Sequence, residues 1–401
     1  MANNSNKFTR REFLKKSAGT AGAVIISGIG SGCSSIIPKI DSSGREESSA
    51  PDGRHSYKTF SEGQIGNLKI KNRLARSATM ISGASGGVPK NDYINAYKQL
   101  AEGGIGLIIT GLMIATKEDA RYPTQVSVYN DRHINGLKNL ADAVHNSDKR
   151  CKILAQIGHS GASEGPSGIS FPWKGEQRTL TSQEIGNIVS DFSDAILRVK
   201  KSGFDGAELH GAHAYLLSTF LSSFTNKRTD RYGGSLKKRT RIIREIMEQA
   251  RKKVGPDFPI LIKLNSDDNV PGGITPENFP ELAREIANTG VDAIDVSGND
   301  CLQMDIDSID DETYFLKGAE ALDVNVPIIV TGGNRTVEHM EKILNTGDVD
   351  FFGLARPLIR EPDLPDRWRE GRGGASATCI SCNGCFGVIM RGEQTYCVQE
   401  T

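Results

Sequence analysis

Two histidines and a tyrosine, His210, His213 and Tyr215, stand within six positions of one another. Imidazole and phenol groups donate hydrogen bonds to a carbonyl or nitro oxygen, and a phenol also delivers a proton. One histidine alone is ordinarily a satisfied structural residue. Three such groups together form a candidate catalytic set that polarises an oxygen and protonates a neighbouring carbon. The His-x-x-His spacing also suits zinc, but no third ligand accompanies it in the sequence. The rest of the ionisable run from Glu208 to Arg244 reads differently. Arg228-Thr229-Asp230-Arg231-Tyr232-Gly233-Gly234-Ser235 is expected to shape a loop, and Arg239 and Arg244 to be exposed helix charges.

Two further sets carry chemistry. Gly332-Gly333 follows an apolar run and precedes a helix-like segment opening near Thr336. Glycines let backbone N–H groups approach an anion, and a helix N-terminus adds positive potential. Ala355-Arg356 closes the next apolar run, and a guanidinium fork matches phosphate oxygens. The pair of sites predicts phosphate binding. Near the C-terminus, Cys379-x2-Cys382-x2-Cys385-x11-Cys397 gathers four of the seven cysteines. Four thiolates at this density suit zinc or an iron–sulfur cluster, and a disulfide framework is the alternative in an oxidising compartment. Cys151 and Cys301 read as single thiols.

The elements that must position these groups alternate. Strand-like apolar runs fall at Leu68–Thr79, Ile105–Gly111, Cys151–Ile157, Gly206–Leu209, Ile260–Leu264, Ala293–Val296, Ile328–Thr331 and Phe351–Leu354. Helix-like segments lie between them, among them Asp92–Glu102, Ile134–His145, Ser182–Ser202, Lys237–Val254, Pro276–Ala287 and Thr336–Thr346. Eight such units predict an α/β fold, a (β/α)8 TIM barrel over residues 56–370 with a short Cys-rich segment at 371–401. Such barrels carry their chemistry at the C-terminal strand ends. Those ends hold Ser77-Ala78-Thr79, Thr110-Gly111, Gln156 with His159, His210 with His213, Lys263, Ser297-Gly298, Gly332-Gly333-Asn334 and Ala355-Arg356, one expected pocket rim.

Residues 1–33 read as an export signal rather than fold: Arg10-Arg11-Glu12-Phe13-Leu14-Lys15 precedes an uncharged stretch from Ser17 to Gly32, a basic n-region before a weak h-region. It is too short and glycine-rich for a transmembrane span. The paired arginines resemble a twin-arginine signal, so a periplasmic or cell-envelope location is expected, with Cys33 as a lipidation candidate despite Gly30 in its lipobox. Residues 34–55 look like a flexible linker. Lys plus Arg equals Asp plus Glu at 49 each, so no global field draws the chain to nucleic acid. A hydrophobic content of 37% supports a sizeable core.

The stretch His210-Gly211-Ala212-His213-Ala214-Tyr215-Leu216, the step Leu221-Ser222 and the run Arg228-to-Ser235 closely resemble the old yellow enzyme family, the NADH:flavin oxidoreductases. The resemblance extends over about residues 58–370 through Asn72-Arg73, Ala155-Gln156-Ile157-Gly158-His159-Ser160-Gly161, Lys263-Leu264, Thr331-Gly332-Gly333 and Gly353-Leu354-Ala355-Arg356-Pro357. It implies a bound FMN. Ser77, Ala78, Thr79 and Gly111 would contact the ring through the backbone, and Gln156 its pyrimidine edge. Lys263 would stand by N1 and O2, where many relatives have arginine, and Gly332, Gly333, Ala355 and Arg356 would hold the phosphate. His210 and His213 would grip the oxygen of an activated alkene, flavin N5 would give hydride, and Tyr215 would protonate the adjacent carbon. Ala214 departs from the family, which has glycine there.

Cys379-Ile380-Ser381-Cys382-Asn383-Gly384-Cys385 resembles the cluster segment of the larger relatives, 2,4-dienoyl-CoA reductase and trimethylamine dehydrogenase. That resemblance implies a 4Fe–4S cluster on Cys379, Cys382, Cys385 and Cys397. No dinucleotide glycine fingerprint follows a strand, so no internal NADPH-to-cluster relay is expected; NAD(P)H could reduce the FMN directly, but an exported enzyme would meet little of it, so an envelope electron donor is expected as partner beside a small-molecule substrate. Amine oxidation on the same fold is one rival activity. A non-catalytic FMN and iron–sulfur carrier is another, disfavoured because a carrier needs no proton donor. Substrate choice would lie with loops such as Ser163–Trp173 and Asn299–Thr313.

Overall fold

Short runs of β-branched and aliphatic residues form the strands, and amphipathic stretches form the helices that cover them. The computed structural model describes residues 54–120, 124–302 and 306–400, so the export-signal reading lies outside the described residues. Eight strands of the central sheet form the barrel: β1 (Leu74–Arg76), β2 (Leu107–Ile109), β3 (Lys152–Gly158), β4 (Gly206–Gly211), β5 (Ile260–Asn265), β6 (Ile294–Ser297), β7 (Ile328–Thr331) and β8 (Phe351–Leu354), and the short strand Met113–Ile114 adds to β3. Each pairs in parallel with the next, and β8 returns to β1, which closes the barrel. The expected (β/α)8 barrel is therefore the observed one.

Helices α1 (Asn91–Glu102), α2 (Ile134–Ser147), α3 (Ser182–Lys201), α4 (Arg241–Val254), α5 (Phe279–Ala287), α6 (Leu316–Glu320) and α7 (Val337–Thr346) follow β1 to β7 in turn. α3 shows why they form. Thr181 and Glu184 make the capping box expected of that sequence, satisfying end N–H groups. Ile185, Ile188, Val189, Phe192, Ala195, Ile196 and Val199 then recur at three- and four-residue spacing and are buried. Gly203, at φ +80°, ends the helix as glycine does best. No described helix is long and apolar enough to cross a membrane.

Three expected boundaries shift. The run Leu68–Thr79 is two elements: a hairpin of Gly63–Ile65 with Leu68–Ile70, then β1. Gly66 turns the hairpin at φ +53°. Asn72 separates the elements, its amide donating to Gly104 O and its Oδ1 accepting from Leu74 N. Ile65 and Ile70 pack with Leu107, Leu154, Leu261, Ala293, Ile329 and Phe351 inside the barrel, so the hairpin seals its N-terminal end. Lys237–Val254 breaks at Thr240 into Leu236–Arg239 and α4. α5 begins at Phe279 rather than Pro276, because Thr275 to Asn278 form a hydrogen-bonded turn.

Candidate active site

Side chains alternate along a strand, so residues two apart face the same side. In this barrel the alternation builds layers. Ala75, Leu154, Leu261, Ala293, Ile329 and Phe351 belong to the apolar interior. Two residues on, towards the C-terminal strand ends, stand Ser77, Gln156, Lys263, Asp295, Thr331 and Gly353, with Glu208 paired in register opposite Gln156 on β4. Gly353 is obligatory, since a Cβ there would lie 2.0 Å from Thr331 Oγ1.

This second layer is polar, buried and connected. The Lys263 ammonium is 3.3 Å from Ser77 Oγ and forms a short ion pair with Asp295. Thr331 Oγ1 donates to Asp295 Oδ1 at 2.8 Å, and Gln156 Nε2 to Glu208 Oε1 at 2.7 Å. Burial pulls the Lys263 ammonium down, but the Asp295 and Glu208 carboxyls outweigh it and raise its pKa. Burial pushes Glu208 up to about 8, and the Asp295 carboxylate adds to that.

The next layer carries the rings. His210 follows Glu208 by two residues on β4; its ring centroid is 4.4 Å from that of Tyr215 and 5.1 Å from that of His213. His213 is fixed twice: its N–H donates to Asn265 Oδ1 at 2.9 Å, and its Nε2 is 2.8 Å from Ser297 Oγ. The structure thus brings together the three residues singled out in the sequence. Their spacing has a backbone cause. His213 and Ala214 both adopt left-handed φ, +59° and +61°, a conformation that costs most non-glycine residues energy, and the tight turn brings Tyr215 back over His210.

Lys174, from the β3–α3 loop, closes over this turn. Its ammonium donates to Ser160 O at 2.7 Å and to Ala214 O, and lies 5.7 Å from the Tyr215 ring centroid. Arg228 ties the same loop down from the other side, donating to Pro166 O and Leu180 O while forking onto Asp230. That fork holds the Asp230 carboxyl down to about 2. The Arg228-to-Ser235 run is therefore a loop anchor, as expected. Arg239 is not the exposed charge expected from sequence. It is half-buried and donates to Leu221 O and Gly234 O at 2.8 and 2.7 Å.

The remaining candidates surround the mouth. Thr79 Oγ1 donates to Ser77 O, Ala78 packs against the interior cluster, and Ala355 O accepts from buried Arg76. Gly111 N–H is already committed to Tyr97 OH at 2.7 Å, so it offers close approach rather than a donor. Gly332 and Gly333 take φ of +140° and +76°, with the Phe315 and Tyr314 rings against them. Arg356 donates to Asn383 Oδ1 at 2.7 Å, to Ser381 O at 3.2 Å and to Tyr314 OH at 3.3 Å. It therefore joins the barrel mouth to the Cys-rich segment. Cys379, Cys382, Cys385 and Cys397 line one cavity together with Arg356. Among the described residues, however, no three histidine, cysteine or carboxylate side chains are grouped to hold a metal ion. The four cysteines expected as a ligand set thus share one cavity wall.

Sequence reasoning does not find Asp295 or Lys174. Asp295 is detectable as a charged residue inside a four-residue apolar strand. Lys174 carries no local signal, because its partners are backbone carbonyls distant in sequence.

Residues 58–374 match the model of the NADH:flavin oxidoreductase / NADH oxidase family. The chain is 36% identical over 356 residues to an NADH oxidase of Thermoanaerobacter brockii, covering 83% of this chain and 54% of that protein. It is 31% identical over 318 residues to an NADPH dehydrogenase of Halalkalibacterium halodurans, covering 77% of this chain and 93% of that one. A solved 2-naphthoyl-CoA reductase complex superposes with a TM-score of 0.77 at 27% identity, over 85% of this chain and 56% of the reductase. The chain thus spans about half the length of the NADH oxidase.

Proposed function

The chain belongs to the NADH:flavin oxidoreductase / NADH oxidase family, and from that premise we propose that it reduces an activated alkene or a related electron-poor substrate, with Tyr215 as proton donor. It is an FMN-dependent oxidoreductase, and the residues present fit the cofactor. A buried ammonium, Lys263, and a buried amide, Gln156, share one layer at the C-terminal strand ends. Two glycines with left-handed φ and a guanidinium follow the last two strands. In this reading Lys263 and Gln156 hold the pyrimidine side, Gly332, Gly333, Ala355 and Arg356 hold the phosphate, and Ser77, Ala78, Thr79 and Gly111 border the ring.

Bound FMN supplies the hydride chemistry. The chain supplies a cation near the pyrimidine edge, which favours negative charge there. His210 and His213 orient and polarise the substrate oxygen, and the Tyr215 phenol holds the proton for the carbon. Lys174 and the β3–α3 loop exclude water. The observation that carries the reading is the gathering of the His210, His213 and Tyr215 rings over the Lys263 layer. Single-turnover mixing of anaerobically reduced holoprotein with cyclohexenone tests it. Tyr215→Phe is expected to slow flavin reoxidation by the enone by about a hundredfold or more, while leaving reoxidation by a quinone unchanged. Equal rates for wild type and variant with the enone would remove Tyr215 from the mechanism.

A second reading rests on the Cys-rich segment: a 4Fe–4S cluster held by Cys379, Cys382, Cys385 and Cys397. Its support is the cavity that the four cysteines share; burial raises the Cys379 and Cys385 thiols, and the Arg356 guanidinium offsets only part of that. Iron and acid-labile sulfide analysis of anaerobically purified protein tests this reading, and their absence would end it. Such a cluster would accept electrons from an envelope donor. That role in turn depends on export through Arg10-Arg11, which an Arg10→Lys, Arg11→Lys variant retained in the cytoplasm would support.

A further inference from the structure

Glu208 is fully buried in the polar layer, and neither the ring set nor the phosphate end uses it. Its two oxygens are not equivalent. Oε1 accepts from Gln156 Nε2 at 2.7 Å. Oε2 is buried with no hydrogen-bond partner, and the Asp295 carboxylate acts on the Glu208 carboxyl group. A bare carboxylate oxygen beside a second carboxylate, away from water, is strongly unfavourable. A protonated one is not, because an O–H on Oε2 donates to Asp295. Asp295 is the ionised partner, since it already takes the Lys263 ammonium and the Thr331 hydroxyl. Burial acts in the same direction, raising the Glu208 pKa.

The hydrogen bonds in this layer therefore run one way. Gln156 donates to Glu208, a protonated Glu208 would donate to Asp295, and Lys263 and Thr331 also donate to Asp295. With Oε2 carrying the proton, Oε1 is a carbonyl oxygen that only accepts. The Gln156 amide must then present its nitrogen to it. An isolated glutamine amide turns over with little steric consequence, and its polarity is set only by its partners. Here Glu208 decides it.

We infer that Glu208 is the positioning residue of the flavin pyrimidine subsite: by taking the Gln156 nitrogen it leaves the Gln156 oxygen to accept from the N3–H of bound FMN. The inference rests on the FMN reading above. It assigns a task to a residue that touches neither substrate nor reacting atoms.

The test is the competition of 3-methyl-FMN, which lacks the N3–H, against FMN in the holoprotein, followed by flavin fluorescence. Wild type is expected to prefer FMN on the order of tenfold to a hundredfold, the range set by one unpaired buried polar group. Glu208→Gln keeps the same polarity, accepting from Gln156 and donating to Asp295, so it should keep that preference. Glu208→Met removes the acceptor and frees Gln156 to turn away, so the preference should fall to about threefold or less. Glu208→Asp falls one methylene short of its partners and should show the same loss, which covers the case in which the methionine variant does not fold. Retention of the wild-type preference by either variant would overturn the inference, as would loss of it in Glu208→Gln. A wild-type protein that binds no FMN would instead overturn the cofactor reading itself, so the two failures are distinguishable.

Discussion

At the residue scale, the centre of the site is a strained turn. His213 and Ala214 are consecutive left-handed residues, and the family resemblance expects glycine in place of Ala214. Magnitudes decide whether that departure matters. Glycine would relieve about 1–2 kcal/mol of left-handed strain. It would also lose about 0.8 kcal/mol of buried methyl and about 0.5–1 kcal/mol through a more flexible unfolded chain. The terms nearly cancel, so Ala214→Gly is expected to change unfolding free energy by less than about 1 kcal/mol. Ala214→Val adds a β-branched side chain at a fully buried left-handed position and should lose about 2 kcal/mol or more. Denaturant unfolding of both variants separates the two outcomes, and a large gain for glycine would mean the methyl is unpacked. Glu208 gives the residue scale its pH dependence. Burial lifts its folded pKa from the ordinary 4.5 to about 8. Its contribution to stability is therefore fully present below about pH 4.5 and is lost as pH rises through about 8. Glu208→Gln cannot titrate, so between pH 5 and pH 8 it should gain on wild type by on the order of a few kcal/mol. Parallel stability curves for the two proteins would contradict this.

At the element scale, strands and helices were legible because burial imposes periods of two and 3.6 on the sequence. The exceptions have local causes. A two-stranded hairpin ahead of β1 was hidden in one continuous apolar run, since Gly66 and Asn72 are weak punctuation beside Leu68, Ile70 and Leu74. The candidate rings were legible because they fall within one strand-end segment. The polar layer beneath them was not, because it takes single residues from separate strands, and each looks unremarkable in its own run. Arg239 was misread because its partners are carbonyls, which leave no complementary charge in the sequence. Arg228 shows what such a residue does for a whole element. Its fork spans Asp230, Pro166 O and Leu180 O, so one side chain holds the β3–α3 loop that also carries Lys174. Lysine has the charge without the fork. Arg228→Lys should therefore raise the rate of limited tryptic cleavage after Lys174 by about tenfold, a local opening of about 1.4 kcal/mol, while cleavage elsewhere in the barrel stays the same. Acid should leave the tie intact until pH falls below the ordinary aspartate range towards about 2, because Arg228 holds Asp230 ionised.

At the scale of the whole molecule, the barrel and the Cys-rich segment are joined through one side chain. Arg356 leaves the end of β8, where the family resemblance expects phosphate, yet its guanidinium reaches Asn383 Oδ1 and Ser381 O beyond the barrel. Ser381 and Asn383 both adopt left-handed φ. These conformations are costly for L-residues and persist only where surrounding contacts fix them. Arg356 supplies two of those contacts, so the shape of the loop between Cys379 and Cys385 depends on a residue of the barrel mouth. A lysine at this position keeps the charge but lacks the second arm of the guanidinium, which reaches Tyr314 OH while Nη1 serves Ser381 O and Asn383 Oδ1. Arg356→Lys is therefore expected to speed amide hydrogen exchange across residues 379–385 by about tenfold, the equivalent of about 1.4 kcal/mol of local stability. β4 and β5, which do not contact the segment through Arg356, should exchange as in wild type. The same variant should weaken FMN binding if Arg356 also serves the phosphate. Faster exchange with unchanged FMN affinity would assign Arg356 to the Cys-rich segment alone, and unchanged exchange with weaker FMN affinity would assign it to the phosphate alone. Only loss of both makes it the mechanical link between the flavin end of the barrel and the cysteines.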